Sequence, residues 1–506
     1  MQSTLLRFRG SSGKEKFLGI AVLAVLLLAA ILFCMLSPLN PWENGEASTD
    51  SSVFKTVVMY MENGMMPYTD TFDHKGPLIY LLNWLGNRIS YYQGIWFIEV
   101  FSLFITLVFS YKTARFFCSR LFSLGTLVIV IASLTNYFEG GNFTEEYAMP
   151  FIAVSVFIFA DYFLNDTITR FRLCACGFCF GAVLLLRPNM IAVWFVFCLA
   201  VLIRTLKAKD FRELGRYLIF FIIGALVIML PIVIWLVVNG ALADMIQTYL
   251  LFNSEYAAKS ADGGLTAKIQ AFYTFFKNVF VIGSLICAGV LACRKRDIFH
   301  IAYFLCILVT LAFLSMSGQT YGHYGMILVP LEAYPFAAMM QEVQKMLFSE
   351  RRVTMVLLLC GFFMAKAVLP SWLYLGSSAV DSITDGETIT RSEKTAQTVE
   401  IVEACTSEDD TITVLGNWDI VYVLTQRMPA SRYSYQSPIS SVKTSIIDEY
   451  FEDLEESQPA LIIITSTYTE GDTQYDRMME FIDTNGYVLL TDEIESLLIY
   501  IAGDHQ

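Results

Sequence analysis

Charged residues are scarce in this 506-residue sequence: they make up 16% of it, against 56% apolar residues. Water-soluble domains carry about a quarter charged residues, so this composition is typical of a protein that crosses a membrane several times. The scarcity is uneven. From residue 376 on there are 25 acidic and 6 basic residues, a net charge of −19, against 22 acidic and 28 basic residues before it. A tail with so few basic residues excludes a nucleic-acid-binding patch there.

Cysteine is nearly missing from this tail. Of the 11 cysteines only Cys405 lies in it, so the tail cannot contain an internal disulfide. The cluster Cys174, Cys176 and Cys179 has metal-like spacing, but no second cysteine pair and no histidine lie near it. Structural zinc sites want four ligands, so we expect these cysteines to face lipid or the helix core.

Apolar runs of helix length fill residues 1–375. The first, 17–36, is about long enough to span a bilayer, and no cleavage site follows it cleanly, which favours an uncleaved helix. Further spans are predicted at 92–111, 121–137, 147–164, 173–186, 189–203, 217–239, 271–292, 298–316, 324–343 and 353–374. The sequence therefore predicts an α-helical polytopic membrane protein with about 11 transmembrane helices.

Lysine and arginine are concentrated in alternate loops between these runs. Under the positive-inside rule this bias places the N-terminus in the cytoplasm and the tail outside. In the tail, strand-like segments at 411–415, 460–465, 487–490 and 497–501 alternate with helix-like segments at 442–456 and 473–484. We therefore predict a multi-pass cell-membrane protein with a transmembrane domain at 1–375 and an extracytoplasmic α/β domain at 376–506.

The first outer loop holds a dense cluster of charges for so apolar a chain: Asp50, Asp70, Asp73, His74 and Lys75. Residues 50–63 predict a short amphipathic helix that ends at Gly64, a residue suited to a helix C-terminus. Pro77 predicts the start of a second helix, because the first turn of a helix tolerates its missing N–H group. Asp70 and Asp73 are expected to be solvated or to form turns.

Other predicted outer loops also carry polar residues next to apolar runs. Glu145 and Glu146 precede one span, Arg187 separates two runs, and His323 and Tyr324 precede another span. Charges near hydrocarbon are costly, so they indicate function by default. The alternative is that these residues anchor the loops at the membrane interface as salt-bridged pairs.

These residue types suggest one chemistry. A carboxylate can accept a proton from a hydroxyl as it attacks, and cations such as Lys75, Arg187 and His323 can hold a departing phosphate. The reaction implied is transfer of a group from a lipid phosphate to a hydroxyl. We favour the functional interpretation for Asp50, Lys75 and at least one of Glu145 and Glu146, and leave Arg187 and His323 open.

The order of these motifs resembles the C-type (GT-C) membrane glycosyltransferases, and most closely the protein O-mannosyltransferase and lipid A aminoarabinose transferase group (glycosyltransferase family 39-like). The resemblance covers roughly residues 17–340, and its most specific part is the first loop. It is carried by Asp50, the turn Gly64-Met65-Met66-Pro67-Tyr68-Thr69-Asp70, Lys75-Gly76-Pro77-Leu78, the turn at 141–145, Leu186-Arg187-Pro188-Asn189 and His323-Tyr324.

This resemblance implies an enzyme that uses a polyprenyl-phosphate-linked sugar on the extracytoplasmic face. Asp50 would activate the acceptor, and Glu145 or Glu146 would be the acid of the second loop. The donor phosphate would be bound by Lys75, and His74, Arg187, His323 and Tyr324 are further candidates for this binding. The acceptor would be a cell-surface glycan, glycolipid or protein. Many relatives have a second acid directly after the first, where this chain has Ser51.

Several points stay open. No organic cofactor is implied, and a divalent metal shared by Asp50 and Glu145 or Glu146 is left undecided. Two other functions compete: a transporter or flippase of a lipid-linked sugar, and a non-catalytic membrane scaffold whose tail binds a partner. A transporter should show internal repeats, and the sequence has none. The tail segment 415–435, rich in aromatics and arginines, suits sugar or acceptor binding as well as docking of the tail onto the membrane part, and we favour docking.

Overall fold

The structure is a computed structural model that describes residues 13–43, 45–166, 168–259, 264–348, 354–384 and 391–503. These residues form two compact units, each built from separate stretches of the chain. Unit 1 comprises the described residues of Met1–Ser37, Trp96–Val233 and Ser260–Thr384, and unit 2 those of Pro38–Ile95, Ile234–Lys259 and Asp385–Gln506. The domain boundary expected at residues 375/376 remains a prediction.

Helices dominate the described residues. Up to residue 238 they are α1 (Gly13–Cys34), α2 (Thr49–Glu62), α3 (Pro77–Ile89), α4 (Gly94–Ala114), α5 (Arg120–Leu134), α6 (Thr144–Asn165), α7 (Arg170–Leu184), α8 (Ala192–Ala208) and α9 (Phe211–Val238). Beyond it they are α10 (Leu242–Met245), α11 (Asn253–Lys259), α12 (Gly264–Phe276), α13 (Val279–Lys295), α14 (Ile298–Leu314), α15 (Val329–Leu347), α16 (Met355–Thr384), α17 (Glu393–Cys405), α18 (Ile420–Thr425), α19 (Ile439–Val442), α20 (Ser445–Ser457) and α21 (Thr473–Asn485). A π-helix, Ile246–Phe252, joins α10 to α11, and Gly322–Leu328 is a 3₁₀ segment.

Six of these helices are long and apolar enough to cross a membrane: α1, α4, α6, α9, α14 and α16. A seventh span results if α12 and α13, which meet at a bend of 82°, are counted as one. The predicted count of about 11 is therefore not confirmed, although each predicted run overlaps a helix. Shortness is one reason, because α5 and α7 have 15 residues each and α8 has 17.

Unit 1 is a bundle in which glycines let two helices approach closely. A Cβ added at Gly177 of α7 would lie 1.9 Å from the carbonyl oxygen of Phe221, and one at Gly224 of α9 would lie 1.9 Å from that of Cys174. Neither position can therefore carry a side chain without separating the helices. Small residues at such crossings are typical of helices that pack in a membrane, where close contact replaces the hydrophobic effect.

Unit 2 contains a five-stranded sheet in the order β2-β1-β3-β5-β4. The strands are β1 (Thr411–Leu415), β2 (Met428–Pro429), β3 (Leu461–Thr465), β4 (Val488–Thr491) and β5 (Leu497–Ile501). β1 is parallel to β2 and β3, while β5 is antiparallel to β3 and β4. All five residues of β3 are buried, as expected for the central strand. The helices α17–α21 lie between or next to these strands in the order of the chain. The predicted α/β character of the tail is confirmed.

The first loop belongs to the same unit. α2 begins after Ser48, whose hydroxyl accepts a hydrogen bond from the Ser51 amide, and it ends before Gly64, where φ is +79°. α3 begins at Pro77, as predicted. One buried apolar cluster includes Val53 of α2 together with the tail, so this loop and the sheet domain share a core.

Candidate functional site

Asp50 and Lys75 form an ion pair in unit 2. Asp50 lies in the first turn of α2, where the helix dipole favours a carboxylate. Its Oδ2 lies 3.6 Å from Lys75 Nζ, and the two side chains are 37% and 19% exposed. Phe54 lies below the lysine, with its ring centre 6.0 Å from Nζ. The sequence prediction that the first loop places these two groups together agrees with this geometry, while their roles remain predictions.

The backbone around Lys75 is held by side chains. The Tyr68 hydroxyl donates to the carbonyl oxygen of Lys75 at 2.9 Å, and the Tyr80 hydroxyl lies 3.3 Å from the same oxygen. Asn253 Nδ2 donates to the carbonyl oxygen of His74 at 2.5 Å. Three elements therefore fix the main chain of this segment, which reduces the freedom that would be lost on binding a ligand.

The His74 ring lies between aromatic and polar neighbours. It stacks on Tyr256 of α11, with ring centres 5.6 Å apart and an interplanar angle of 26°. Its Nδ1 lies 3.6 Å from Asp73 Oδ1 and 3.4 Å from the Tyr435 hydroxyl. The ring is thus held in one orientation beside Lys75.

Asp73 is neither solvated nor part of a turn, contrary to the sequence expectation. It is 3% exposed, and its two carboxylate oxygens accept hydrogen bonds from the Tyr80 hydroxyl at 2.8 Å and the Tyr435 hydroxyl at 3.0 Å. Burial, together with the negative charge of Asp73, raises the pKa of both tyrosines well above the usual value, so both keep the proton they donate. Asp70 does form a turn, because its carboxylate accepts from the Met66 amide at 2.6 Å.

In unit 1 the structure brings Glu145, Arg187 and Tyr324 together. Glu145 is 2% exposed in the first turn of α6, and it forms an ion pair with the Arg187 guanidinium. Thr144 Oγ1 also donates to Glu145 at 2.7 Å. The guanidinium lies over the Tyr324 ring, 4.1 Å from its centre. Arg187, whose role the sequence left open, is therefore held by an ion pair and by an aromatic ring.

Glu146, the neighbour of Glu145, has a different partner. It is 2% exposed, and its Oε2 accepts from the Asn142 amide at 2.9 Å. This bond closes the turn before α6. Glu146 therefore has a structural partner, and Glu145 is the member of the pair that meets a cation.

His323 lies near these groups within unit 1. Its ring stacks on Phe143 with centres 4.0 Å apart and an angle of 7°. Its Nδ1 lies 2.6 Å from Glu139 Oε2, and the same carboxylate accepts from the backbone amides of Gly322 and His323. Glu139 therefore anchors the start of the 3₁₀ segment that carries His323 and Tyr324.

Sequence reasoning missed Glu99, which is fully buried in α4. A Cβ at Gly141 would lie 2.6 Å from Glu99 Oε1, so the carboxylate packs directly against the turn before Glu145 and Glu146. Gly141 has a φ of +82°, a second reason for glycine there. The signal was available: Glu99 is an acidic residue inside the apolar run 92–111, which is a functional hint by itself.

The described residues contain no group of three or more His, Cys, Asp or Glu side chains arranged to hold a metal ion. Cys176 and Cys179 are buried and Cys174 is half-buried in α7. Hard divalent cations need several oxygen ligands.

Two tail arginines have structural partners within unit 2. Arg427 is buried and donates to Thr406 Oγ1, to the carbonyl oxygen of Thr406 and to that of Thr425. Arg432 donates through Nη2 to the carbonyl oxygen of Tyr68 at 2.9 Å. These contacts hold the tail to itself and to the first loop, and the choice between docking onto the membrane part and sugar or acceptor binding stays a prediction.

Solved structures with this architecture are known. The chain is similar to ArnT from Cupriavidus metallidurans bound to undecaprenyl phosphate, with 12% identity, a TM-score of 0.58, and coverage of 97% of this chain and 98% of that one. It is also similar to the oligosaccharyltransferase AglB from Archaeoglobus fulgidus in complex with an inhibitory peptide and a dolichol-phosphate, with 13% identity, a TM-score of 0.51, and coverage of 90% and 70%. These likenesses confirm the predicted GT-C-type fold of a multi-pass membrane protein.

Sequence comparisons add a family. The comparison with curated protein sequences gave no match. A family model does match residues 14–369, which is well over half of the chain. The chain therefore belongs to the family described as "Putative competence-induced protein Ccs4 N-terminal domain".

Proposed function

We propose that this protein is a membrane glycosyltransferase of GT-C type. It moves a sugar from a polyprenyl-phosphate donor to a cell-surface glycan, glycolipid or protein on the extracytoplasmic face. Two findings support the proposal: the fold is similar to that of ArnT, whose structure was solved with undecaprenyl phosphate, and unit 2 contains a preformed pair of a carboxylate and a lysine.

The observation that carries the proposal is the Asp50–Lys75 pair, with 3.6 Å between Oδ2 and Nζ. Asp50 lies in the first turn of α2 and Lys75 lies two residues before α3, and the backbone of Lys75 is fixed by two tyrosine hydroxyls. A proton acceptor next to a cation is what transfer from a phosphate to a hydroxyl needs, because a proton must be removed while an anion departs.

In the proposed step the acceptor oxygen attacks the anomeric carbon of the donor sugar. The new carbon–oxygen bond forms as the bond from that carbon to the phosphate oxygen breaks. Asp50 takes the proton of the acceptor hydroxyl, and the polyprenyl phosphate leaves as an anion beside Lys75 and His74. Ammonium–phosphate contacts are charge-assisted hydrogen bonds and stabilise the departing group.

Arg187 is a candidate for binding a phosphate, and His323 and Tyr324 lie beside it in unit 1. Glu145 holds the guanidinium, and the Tyr324 ring supports its flat face. Arginine forms paired hydrogen bonds with phosphate oxygens more readily than lysine does. Glu145 and Glu146 remain candidate acids of the second loop, with Glu145 favoured by its contact with Arg187.

The first test is Asp50→Asn, assayed for transfer of a radiolabelled sugar from a polyprenyl-phosphate donor by the purified full-length protein. We expect at least a hundredfold loss of rate, because general-base catalysis contributes on the order of 10²–10⁴. Asp70→Asn is the control, since this exposed residue lies in the same loop and holds only a turn. Full activity of Asp50→Asn would contradict the assignment.

The second test is binding of undecaprenyl phosphate by native mass spectrometry. Lys75→Ala should weaken binding about tenfold or more, while Lys443→Ala, at an exposed lysine of the tail, should not change it. Absence of binding to the wild type would overturn the donor class. Movement of a labelled lipid across proteoliposomes without sugar transfer would favour the transporter alternative instead.

A further inference from the structure

We infer that Tyr435, a residue of the tail, is a positioning residue for the His74–Lys75 segment. The inference deepens the proposed function and rests on it, because it concerns the segment assigned to the donor phosphate. It assigns the tail a part in donor binding that the sequence did not indicate. It follows from a chain of hydrogen bonds within unit 2.

The chain begins at the Tyr435 hydroxyl, which reaches two residues of the first loop. It donates to Asp73 Oδ1 at 3.0 Å and lies 3.4 Å from His74 Nδ1. Tyr435 is 4% exposed and Asp73 is 3% exposed, so water cannot readily replace this bond. A buried carboxylate that loses one of its donors costs more free energy than a surface one, because its charge is left poorly compensated.

The chain continues from Asp73 to the backbone of Lys75. Asp73 Oδ2 accepts from the Tyr80 hydroxyl at 2.8 Å, and Tyr80 also lies 3.3 Å from the carbonyl oxygen of Lys75. Asp73 Oδ1 accepts from the amide of His74 at 2.8 Å. The segment that presents His74 and Lys75 is thus built around one buried carboxylate, and Tyr435 is the donor to it from the tail.

The tail segment that carries Tyr435 is fixed to the first loop at further points. The Phe72 amide donates to the carbonyl oxygen of Arg432 at 2.8 Å, and the Tyr60 hydroxyl donates to that of Ser431 at 2.8 Å. Arg432 donates back to Tyr68. These bonds fix the position of Tyr435, so its hydroxyl is preorganised to donate to Asp73.

The nearby Tyr433 offers a matched control. Its hydroxyl donates to Glu449, a residue of α20, and not to the first loop. Each of Tyr435→Phe and Tyr433→Phe removes one buried or half-buried phenol oxygen from the same segment and keeps the ring. A purely structural role of these hydroxyls predicts similar behaviour of the two variants, whereas a positioning role predicts a difference in lipid binding.

The experiment is a titration of undecaprenyl phosphate into the full-length wild type, Tyr435→Phe, Tyr433→Phe and Lys75→Ala, read by native mass spectrometry. Thermal unfolding of each protein is measured in parallel. We expect Tyr435→Phe to weaken binding about five- to tenfold, because it removes one buried hydrogen bond to Asp73. Tyr433→Phe should stay within about twofold of the wild type.

Asp73→Asn provides a second variant if Tyr435→Phe unfolds. It keeps the shape of the side chain and should weaken binding by a similar factor. The change removes the negative charge around which the donors Tyr435, Tyr80 and His74 are arranged. Binding by Asp73→Asn within about twofold of the wild type would overturn the inference.

The outcomes separate the two proposals. If the wild type binds and Lys75→Ala weakens binding, but Tyr435→Phe binds as well as Tyr433→Phe, the positioning role is wrong and the donor class stands. If the wild type binds no undecaprenyl phosphate, the proposed donor class fails and the positioning role fails with it. A selective loss in Tyr435→Phe, in a protein that remains folded at the temperature of the titration, supports both.

Discussion

Asp419 shows how burial changes a single carboxyl group. It lies in unit 2 next to the first turn of α18 and is fully buried. Burial and, to a smaller extent, the negative charge of Asp73 raise the pKa of this carboxyl to about 7, against the opposing effect of the hydrogen bonds from Ser434 and Thr56. Near neutral pH, Asp419 therefore exchanges a proton in the folded protein, whereas an unfolded aspartate titrates near pH 4.

This shift predicts a direction for stability. Between about pH 4 and pH 7 the folded carboxyl keeps a proton that the unfolded one has lost, so stability falls as the pH rises, by at most about 1.4 kcal/mol per pH unit. Asp419→Asn removes this titration and should raise the melting temperature at pH 8 by a few degrees, with little difference at pH 5. Thermal unfolding in detergent across this range tests it.

The control for this prediction is Asp448→Asn. Asp448 is 65% exposed and forms an ion pair with Arg477, so screening by water leaves it little influence. Its substitution should not alter the pH profile. A profile for Asp419→Asn that parallels the wild type from pH 5 to pH 8 would contradict the account of Asp419.

Single residues also mark the limit of sequence reasoning. Asp50 and Lys75 could be chosen because charges are rare in an apolar chain and two predictable helices hold them. The burial of Asp73 could not be predicted, because Tyr435, 362 residues further along the chain, makes it. Glu99 could have been found from its place in an apolar run, but its contact with Gly141 required the fold.

Among the secondary structure elements, the π-helix Ile246–Phe252 has a specific consequence. A π-helical turn shifts the helix register, and such turns often occur at functional sites. Asn253 follows it directly and donates to the carbonyl oxygen of His74. The register of this helix therefore decides whether an amide reaches the segment next to Lys75.

Asn253→Ala should weaken undecaprenyl phosphate binding about three- to tenfold, because the half-buried carbonyl group of His74 would lose its donor. Ser254→Ala is the control, since the exposed Ser254 hydroxyl donates to the carbonyl oxygen of Leu250, one turn back along the chain, and not to the His74 backbone. Native mass spectrometry of both variants decides the point. Equal affinities would mean that the π-helix has no part in donor binding.

Elements were predicted with uneven success, for physical reasons. The tail strands β1, β3, β4 and β5 were predicted because short runs of branched residues alternate with helix-like segments. The strand β2 was missed, because two residues carry no periodicity. Every predicted apolar run overlaps a helix, yet an apolar run does not show whether a 15-residue helix such as α5 crosses a bilayer.

Across the complete chain, the uneven distribution of charge is the main argument for orientation. The tail has a net charge of −19, whereas lysines and arginines cluster between alternate apolar runs. Cytoplasmic loops retain such basic residues, so we predict that the tail lies outside the cell and the loop after α13 lies inside. The proposed use of a lipid-linked donor on the outer face depends on this orientation.

Two native cysteines can test it. Cys405 is half-buried in the tail, and Cys293 is exposed beside the basic residues Arg294 and Lys295 at the end of α13. We consider variants that keep Cys405 or Cys293 as their single cysteine. In the Cys405 variant, a membrane-impermeant maleimide added to intact cells should label this residue. In the Cys293 variant, the same reagent should label the protein only after permeabilisation, because it must reach the cytoplasm. A cytoplasmic marker protein that stays unlabelled shows that the cells are intact. The opposite pattern would place the first loop on the cytoplasmic side, and the donor would then have to be bound from there.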